Sequence, residues 1–215
     1  QPPDPSPETA VGHPREAPVP PWDLVCLCSY LLSRTGHQCQ LFDARVHSSW
    51  LAALEQQLPF DTQQVVFVVR TRPFEWPVSL QVLRAVTKLA PKAMRVVCGP
   101  LPTAWPAACA RRPEVDAVIA GDPEIPLRAL LENRYATNRL RLVPGIALHD
   151  GDTTAIWSPD LAYLPPPAWD RLPWRSYATH TQVGLRALMR LSRGHPGQPA
   201  DRALGGADEP LRFFP

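Results

Sequence analysis

Long apolar runs are absent from this sequence, and none approaches the ~18 consecutive apolar residues that a membrane span requires. A surplus of one charge is absent too. Lys and Arg number 22 against 20 Asp and Glu, a net charge of +2. So balanced a chain gives no reason to expect nucleic acid or an anionic membrane surface as partner, and its basic residues form no stripe. No charged-then-apolar leader opens the sequence, so secretion is not expected. Cysteine is scarce and odd in number: the five are Cys26, Cys28, Cys39, Cys98 and Cys109, all inside apolar segments. That excludes a disulfide framework and predicts free thiols in a reducing, cytoplasmic setting.

Proline is what the chain has in excess, with 28 residues. They gather before Trp22, between Pro159 and Pro173, and near the C-terminus, which implies extended ends around a folded middle. The sequence begins with Gln1 and not with methionine, so upstream residues are expected.

Periodicity organises the middle. Apolar residues at 24, 25, 27, 28, 31 and 32 make a helical stripe over Trp22–Arg34, and Gly36 follows at the place of a C-cap glycine. His37–Phe42 reads as a short strand ending at Asp43. Ser48 or Ser49 is placed to cap a helix reaching Leu58. VVFVV at 65–69 is apolar on both faces, as a parallel strand buried on both sides would be. Ser79 then opens an amphipathic helix, followed by the strand RVVCGP from 95, a proline-interrupted helix over 103–112, the strand VDAVIAG from 115, and a helix to Asn133 with Pro126 in its first turn. Such alternation with short connections predicts an α/β domain, a doubly wound, flavodoxin-like or Rossmann-like parallel sheet with right-handed crossovers. VPGIALHDG and TTAIW over 143–157 predict a C-terminal hairpin turning at Asp150-Gly151, and Pro159–Pro173 a stiff proline-rich linker. The expected divisions are 1–21, a proline-rich N-terminal segment; 22–142, the α/β domain; 143–180, hairpin and linker; and 181–215. A helix at 22–34 with no strand before it leaves the sheet without its first, normally central strand. Upstream residues or a partner are expected to supply it.

In open parallel sheets ligands bind beyond the C-terminal ends of the strands. Three loops leave such ends and supply the candidate binding residues: Thr71 and Arg72; Cys98, Gly99, Pro100 and Thr103; and Gly121, Asp122 and Glu124. Glycine there lets a backbone come close to a ligand, or simply makes a tight turn, and threonine adds a hydroxyl. Trp76, Trp105, Trp169 and Trp174 offer flat faces for stacking, although docking of the linker onto the domain is the simpler role for Trp169 and Trp174. Cys26 and Cys28, two apart on a helix, point in different directions and read as core thiols rather than joint metal ligands. Cys98 reads as either a buried inert thiol or a reactive one at the open end of the sheet.

Three stretches carry a resemblance. PPWDLVCLCSYLLSRTGHQCQLFDA resembles a helix, Gly-His and strand ending in Asp. RVVCGPLPTAWPAACARRPEVDAVIAGDPEIPLRALL resembles a strand, GG-x-(H/P)-x-T, helix, VD-x-VV-x-G-E-x-E, helix block. LAYLPPPAWDRLPWRSY resembles an LPxPAWDLLPxxxY linker. Together, from about Pro20 to Arg193, they resemble the cobalamin-binding domain and following linker of cobalamin-dependent radical SAM enzymes. The resemblance implies a corrinoid held over the three loops, one glycine of the family's pair being kept as Gly99 and G-E-x-E becoming Gly121, Asp122, Pro123 and Glu124. The histidine motif D-x-H-x-x-G of methionine-synthase-type proteins is absent. His47 stands at the wrong spacing for it and reads as a surface or helix-start residue.

The family's barrel next presents SRGCPxxCxxC, whose thiolates hold a [4Fe–4S] cluster. Here Ser192, Arg193, Gly194 and Pro196 match, but His195, Pro199 and Arg202 stand at the three thiolate positions. Proline offers no side-chain donor, arginine stays protonated, and one imidazole does not replace three thiolates. Neither a [4Fe–4S] cluster nor SAM is therefore expected. The sequence predicts a non-catalytic protein that binds a corrinoid, a tetrapyrrole-like ligand or a partner protein. The alternatives are the accessory subunit of a split enzyme, or a structural component with an empty crevice. A protein partner or oligomer is expected, with the apolar end LRFFP buried in it.

Overall fold

The computed structural model describes residues 20–59, 63–133, 136–149, 151–158 and 161–177, together with Ser192–Arg193 and Arg212–Phe213, which pair as two short antiparallel strands. The segment 1–19, Asp150, the stretch 178–191 and the positions His195, Pro199 and Arg202 lie outside the described residues, as does the side chain of Trp174. The chain divides into two compact units, one formed by Gln1–Pro59 with Leu164–Arg190, the other by Phe60–Tyr163 with Leu191–Pro215.

The first unit is built on helix α1 (Trp22–Arg34), which runs over the span its apolar stripe predicts and is buried from Val25 through Leu31. Thr35, with extended backbone, ends it. Its N–H and its hydroxyl both donate to Leu31 O, at 2.9 and 2.7 Å. Gly36 lacks the positive φ of a glycine cap, because threonine has already satisfied that carbonyl. The expected strand at His37–Phe42 does not form. Its residues are held through side chains instead: Gln40 Nε2 donates to Gln57 Oε1 at 3.0 Å, at the end of α2 (Trp50–Gln57). Leu41 packs on the cluster of Val25, Leu172 and Tyr177. Alternation of apolar residues makes a strand only where a neighbouring strand takes up the backbone groups.

The proline-rich linker folds back onto α1. Trp169 lies 5.1 Å from Trp22, ring centroid to centroid, and Ser29 Oγ donates to Pro166 O. Tyr177 OH donates to Asp43 Oδ2 at 2.9 Å, and Arg45 binds the same carboxylate at 2.7 Å. Burial alone would push the Asp43 carboxyl up, but the bonds from Arg45 and Tyr177 outweigh it and hold the group below its ordinary range. Asp43 therefore stabilises the fold fully above its unfolded pKa of ~4, and this contribution is lost as pH falls through the lower folded value. Tyr177→Phe is expected to cost about 1–2 kcal/mol in urea titrations near neutral pH. The difference from wild type should shrink below about pH 4 as Asp43 takes up its proton. A difference that stays constant into acid would show that the phenol acts through packing alone.

The second unit contains a four-stranded mixed sheet in an α/β arrangement, with strands β1 (Val66–Arg70), β2 (Met94–Cys98), β3 (Ala117–Ile119) and β4 (Ile146–Leu148) side by side in that order. The first three are parallel, with Val68 opposite Val96 and Val97 opposite Val118. β4 is antiparallel to β3, with Val118 opposite Ala147. The sheet is thus not wholly parallel, and its strands follow sequence order without the reversal that creates a switch point. The hairpin expected over 143–157 is also redrawn. Ile146–Leu148 pairs with β3, while Ile156 bridges to Gly121. Pairing with β3, all three of whose residues are buried, encloses more apolar surface than a two-stranded hairpin could.

Helix α3 (Trp76–Leu89) joins β1 to β2, α4 (Pro100–Ala104) and α5 (Pro106–Ala110) join β2 to β3, and α6 (Glu124–Asn133) with α7 (Thr137–Leu140) leads to β4. Helix α3 begins three residues before the expected cap. A 3₁₀ turn at Pro73–Glu75 precedes it, closed by the Glu75 carboxylate, which accepts the Arg72 N–H. Leu80 and Leu83 of α3 pack with Val97, Leu101, Val118 and Ala147. Arg95 on β2 grips Asp116 through two guanidinium nitrogens, at 2.8 and 2.6 Å, fixing the turn that enters β3.

Candidate functional site

The three loops singled out by sequence all leave the C-terminal ends of neighbouring strands, so the fold brings them to one edge of the sheet. They are bonded chiefly to one another. Thr71, fully buried, donates its N–H to Cys98 O at 2.9 Å, and its hydroxyl accepts from Ser79 Oγ at 2.8 Å. Ser79 thus fastens α3 to the loop after β1. Arg72 N–H donates to Glu75 Oε2 at 3.0 Å, while its guanidinium carbon sits 6.0 Å from the centre of the Phe74 ring.

Thr103 joins the second loop to the third. Its hydroxyl donates to Gly99 O at 2.8 Å and accepts the Gly121 N–H at 2.9 Å. Gly99 and Gly121 both have positive φ, +105° and +89°, which favours glycine. Their open sides face the chain's own backbone. A β-carbon on Gly99 would lie 2.8 Å from Thr71 O, and one on Gly121 would lie 2.0 Å from Ile156 O. Asp122 N–H donates to that same Ile156 O at 2.8 Å, and Asp122 Oδ2 accepts the Ser158 N–H at 2.8 Å. Residues 156–158 therefore run along the third loop and are held by it. Pro100 is exposed and begins α4, and Glu124 is buried in the first turn of α6.

Ile156 and Ser158 escaped sequence reasoning, as did Ser79 in its bond to Thr71. For the first two the signal was the alternation in TTAIW, which marks an extended segment without saying which strand receives it. Cys98 is buried, and burial pushes the Cys109 thiol up to about 11, the character of an inert core thiol. His47 stacks on Phe42 with centroids 5.1 Å apart. Trp76, the first residue of α3, packs on the core, whereas Trp105 is exposed at the end of α4.

Phe74, 74% exposed, and the exposed Trp105 and Ile125 each follow the C-terminal end of one of β1, β2 and β3. Among the described residues, no group of three His, Cys, Asp or Glu side chains is placed to hold a metal ion, and no helix is long and apolar enough to cross a membrane. No protein-family model matches the chain, and no curated protein matches it.

Proposed function

We propose that this chain is a non-catalytic, cobalamin-binding-like domain protein that acts by binding a protein partner at the C-terminal edge of its sheet. The observation that carries this reading is the placement of Phe74, Trp105 and Ile125 beyond three adjacent strand ends. Large exposed apolar side chains, aromatic ones above all, are what protein-binding surfaces use. The loss of radical chemistry rests on the sequence, where His195, Pro199 and Arg202 stand in for three cluster thiolates.

A corrinoid over the same loops fits less well. The glycines that would admit it turn their open sides to Thr71 and Ile156, and the hydroxyl of Thr103 is engaged between Gly99 and Gly121. An accessory subunit whose partner supplies a SAM barrel is one form of the same proposal, as is a component of a larger assembly. A doubly wound ancestry, with a further strand beside β1, accords with the central-strand composition of VFVVR at a sheet edge.

Two measurements test the proposal together. Titration with hydroxocobalamin is expected to leave the corrin spectrum unchanged at excess protein. In extract from its source, the chain is expected to migrate in a complex that Phe74→Glu with Ile125→Glu dissolves. A saturable spectral shift at one equivalent would overturn the reading, as would a wild-type chain that runs as a monomer in that extract.

A further inference from the structure

Basic side chains are spread along the chain, but the fold gathers some of them. Between Trp76 and Pro113, the stretch that makes α3, β2, α4 and α5, stand Arg84, Lys88, Lys92, Arg95, Arg111 and Arg112, with no Asp or Glu among them. The whole chain is only +2, so its remainder is negative on balance. Lys92 lies in the turn that enters β2, and Arg111 and Arg112 lie in the turn that enters β3. Lys88 is in the last turn of α3, one helical turn beyond Arg84. These positions belong to the edge where β2 and β3 begin, opposite the loops that follow the strands.

Recorded bonds fix the arrangement. Arg84 Nε donates to Glu114 Oε1 at 2.9 Å, and Arg112 Nε lies 3.5 Å from Glu114 Oε2. One buried carboxylate thus holds the guanidiniums of α3 and of the turn before β3 side by side. Both remain open to water, their side chains 54% and 41% exposed. Arg95 is occupied by Asp116 and by Thr87 Oγ1, the latter at 2.7 Å. Lys88, Lys92 and Arg111 are exposed, and none of them meets a carboxylate among the described residues. Five solvent-facing cations therefore share this edge, while Glu114 and Asp116, the carboxylates of the turn entering β3, are already engaged. We propose that this edge of the α3–α5 layer is a second docking surface, which takes an extended acidic segment of a partner protein.

The distribution of charge selects that occupant. Arg84 and Arg112 each keep guanidinium nitrogens that Glu114 does not use, and a planar guanidinium matches a carboxylate at two points. The cations run from a helix turn to two strand-entry turns and do not converge on one spot. Glu114 sits between the two that are bonded together, so a compact anion seated there would face a carboxylate. A chain bearing acidic groups at intervals meets the cations one by one. Duplex nucleic acid calls for more contacts, commonly ~6–10 phosphates. Single strands use aromatic rings for stacking, and the exposed rings, Phe74 and Trp105, follow strand ends at the other edge. The proposal does not depend on what those rings bind.

The test is fluorescence anisotropy on the full chain, with a fluorescein-labelled peptide of alternating Glu and Ser, about twelve residues long, in about 50 mM salt. Saturable binding is expected, and it should vanish as salt rises to about 0.5 M. Arg84→Gln with Arg112→Gln should weaken it at least about fivefold, as should Lys88→Gln with Arg111→Gln. The second pair removes side chains that meet no carboxylate, so it decides even where the first, by stripping Glu114 of its partners, folds poorly. Arg34→Gln with Arg139→Gln removes the same charge from exposed positions elsewhere, and should change the affinity by less than about twofold. Equal weakening by that control pair would overturn the proposal, as would the absence of saturation at millimolar peptide. Tighter binding of an oligothymidylate of similar length would overturn it too, by marking a nucleic-acid surface.

Discussion

Gly121→Ala is expected to destabilise the second unit by about 3 kcal/mol or more, the largest loss expected of any single methyl group in it. Two effects add. The backbone at 121 has φ +89°, where an L side chain is strained, and the new β-carbon would meet Ile156 O at 2.0 Å and Ile156 N at 2.6 Å. Neither of those atoms belongs to a flexible side chain. To admit the methyl, the 156–158 segment must lift from the third loop, which breaks the Asp122 N–H bond to Ile156 O and the Ser158 N–H bond to Asp122. Hydrogen exchange should report faster exchange at Asp122, Ile156 and Ser158 before any general loss of structure. Gly36→Ala is the control. A β-carbon there meets nothing within 4 Å, and the change should be neutral or stabilising by up to ~1 kcal/mol. Equal effects from the two substitutions would show that the segment does not pack on Gly121 as described.

Leu83→Ala is expected to cost about 2–5 kcal/mol, read as lost protection of β2 and β3 amides. Leu83 is wholly buried at the centre of the cluster that joins α3 to Val97 and Val118. Removing its branched end leaves a cavity between a helix and two central strands, both held by neighbours on either side and poorly able to collapse into it. Leu142→Ala removes the same atoms from a side chain that is 81% exposed, and should change stability by less than about 0.5 kcal/mol. If the two substitutions cost the same, α3 does not form the cover of this sheet.

The elements that sequence located well are those whose burial follows a single local rule. Helix α1 keeps its apolar positions at helical spacing, and β1, β2 and β3 are runs of β-branched or small apolar residues with a turn at each end. Local rules failed where a distant partner decided the outcome. Cys39 and Leu41 alternate as in a strand, yet no strand among the described residues pairs with them, and the segment is held by Gln57 and by the face of α1. Ile146–Leu148 was legible as extended, but the choice between a near hairpin arm and β3 turned on which contact buried more. The loops after the strands were legible as a group because topology places all strand ends of one direction together. Their internal use was not, since a glycine demanded by a ligand and one demanded by Ile156 look alike in sequence.

The first unit is assembled from two stretches separated in the chain by the whole of Phe60–Tyr163. During synthesis α1 must therefore wait for Leu172 and Tyr177, the residues that cover Val25. At ~5–20 residues per second the delay is on the order of ten seconds. Through that interval the sheet of the second unit can form while Val25 stays uncovered, so the nascent chain carries an open apolar face on α1 until the linker emerges.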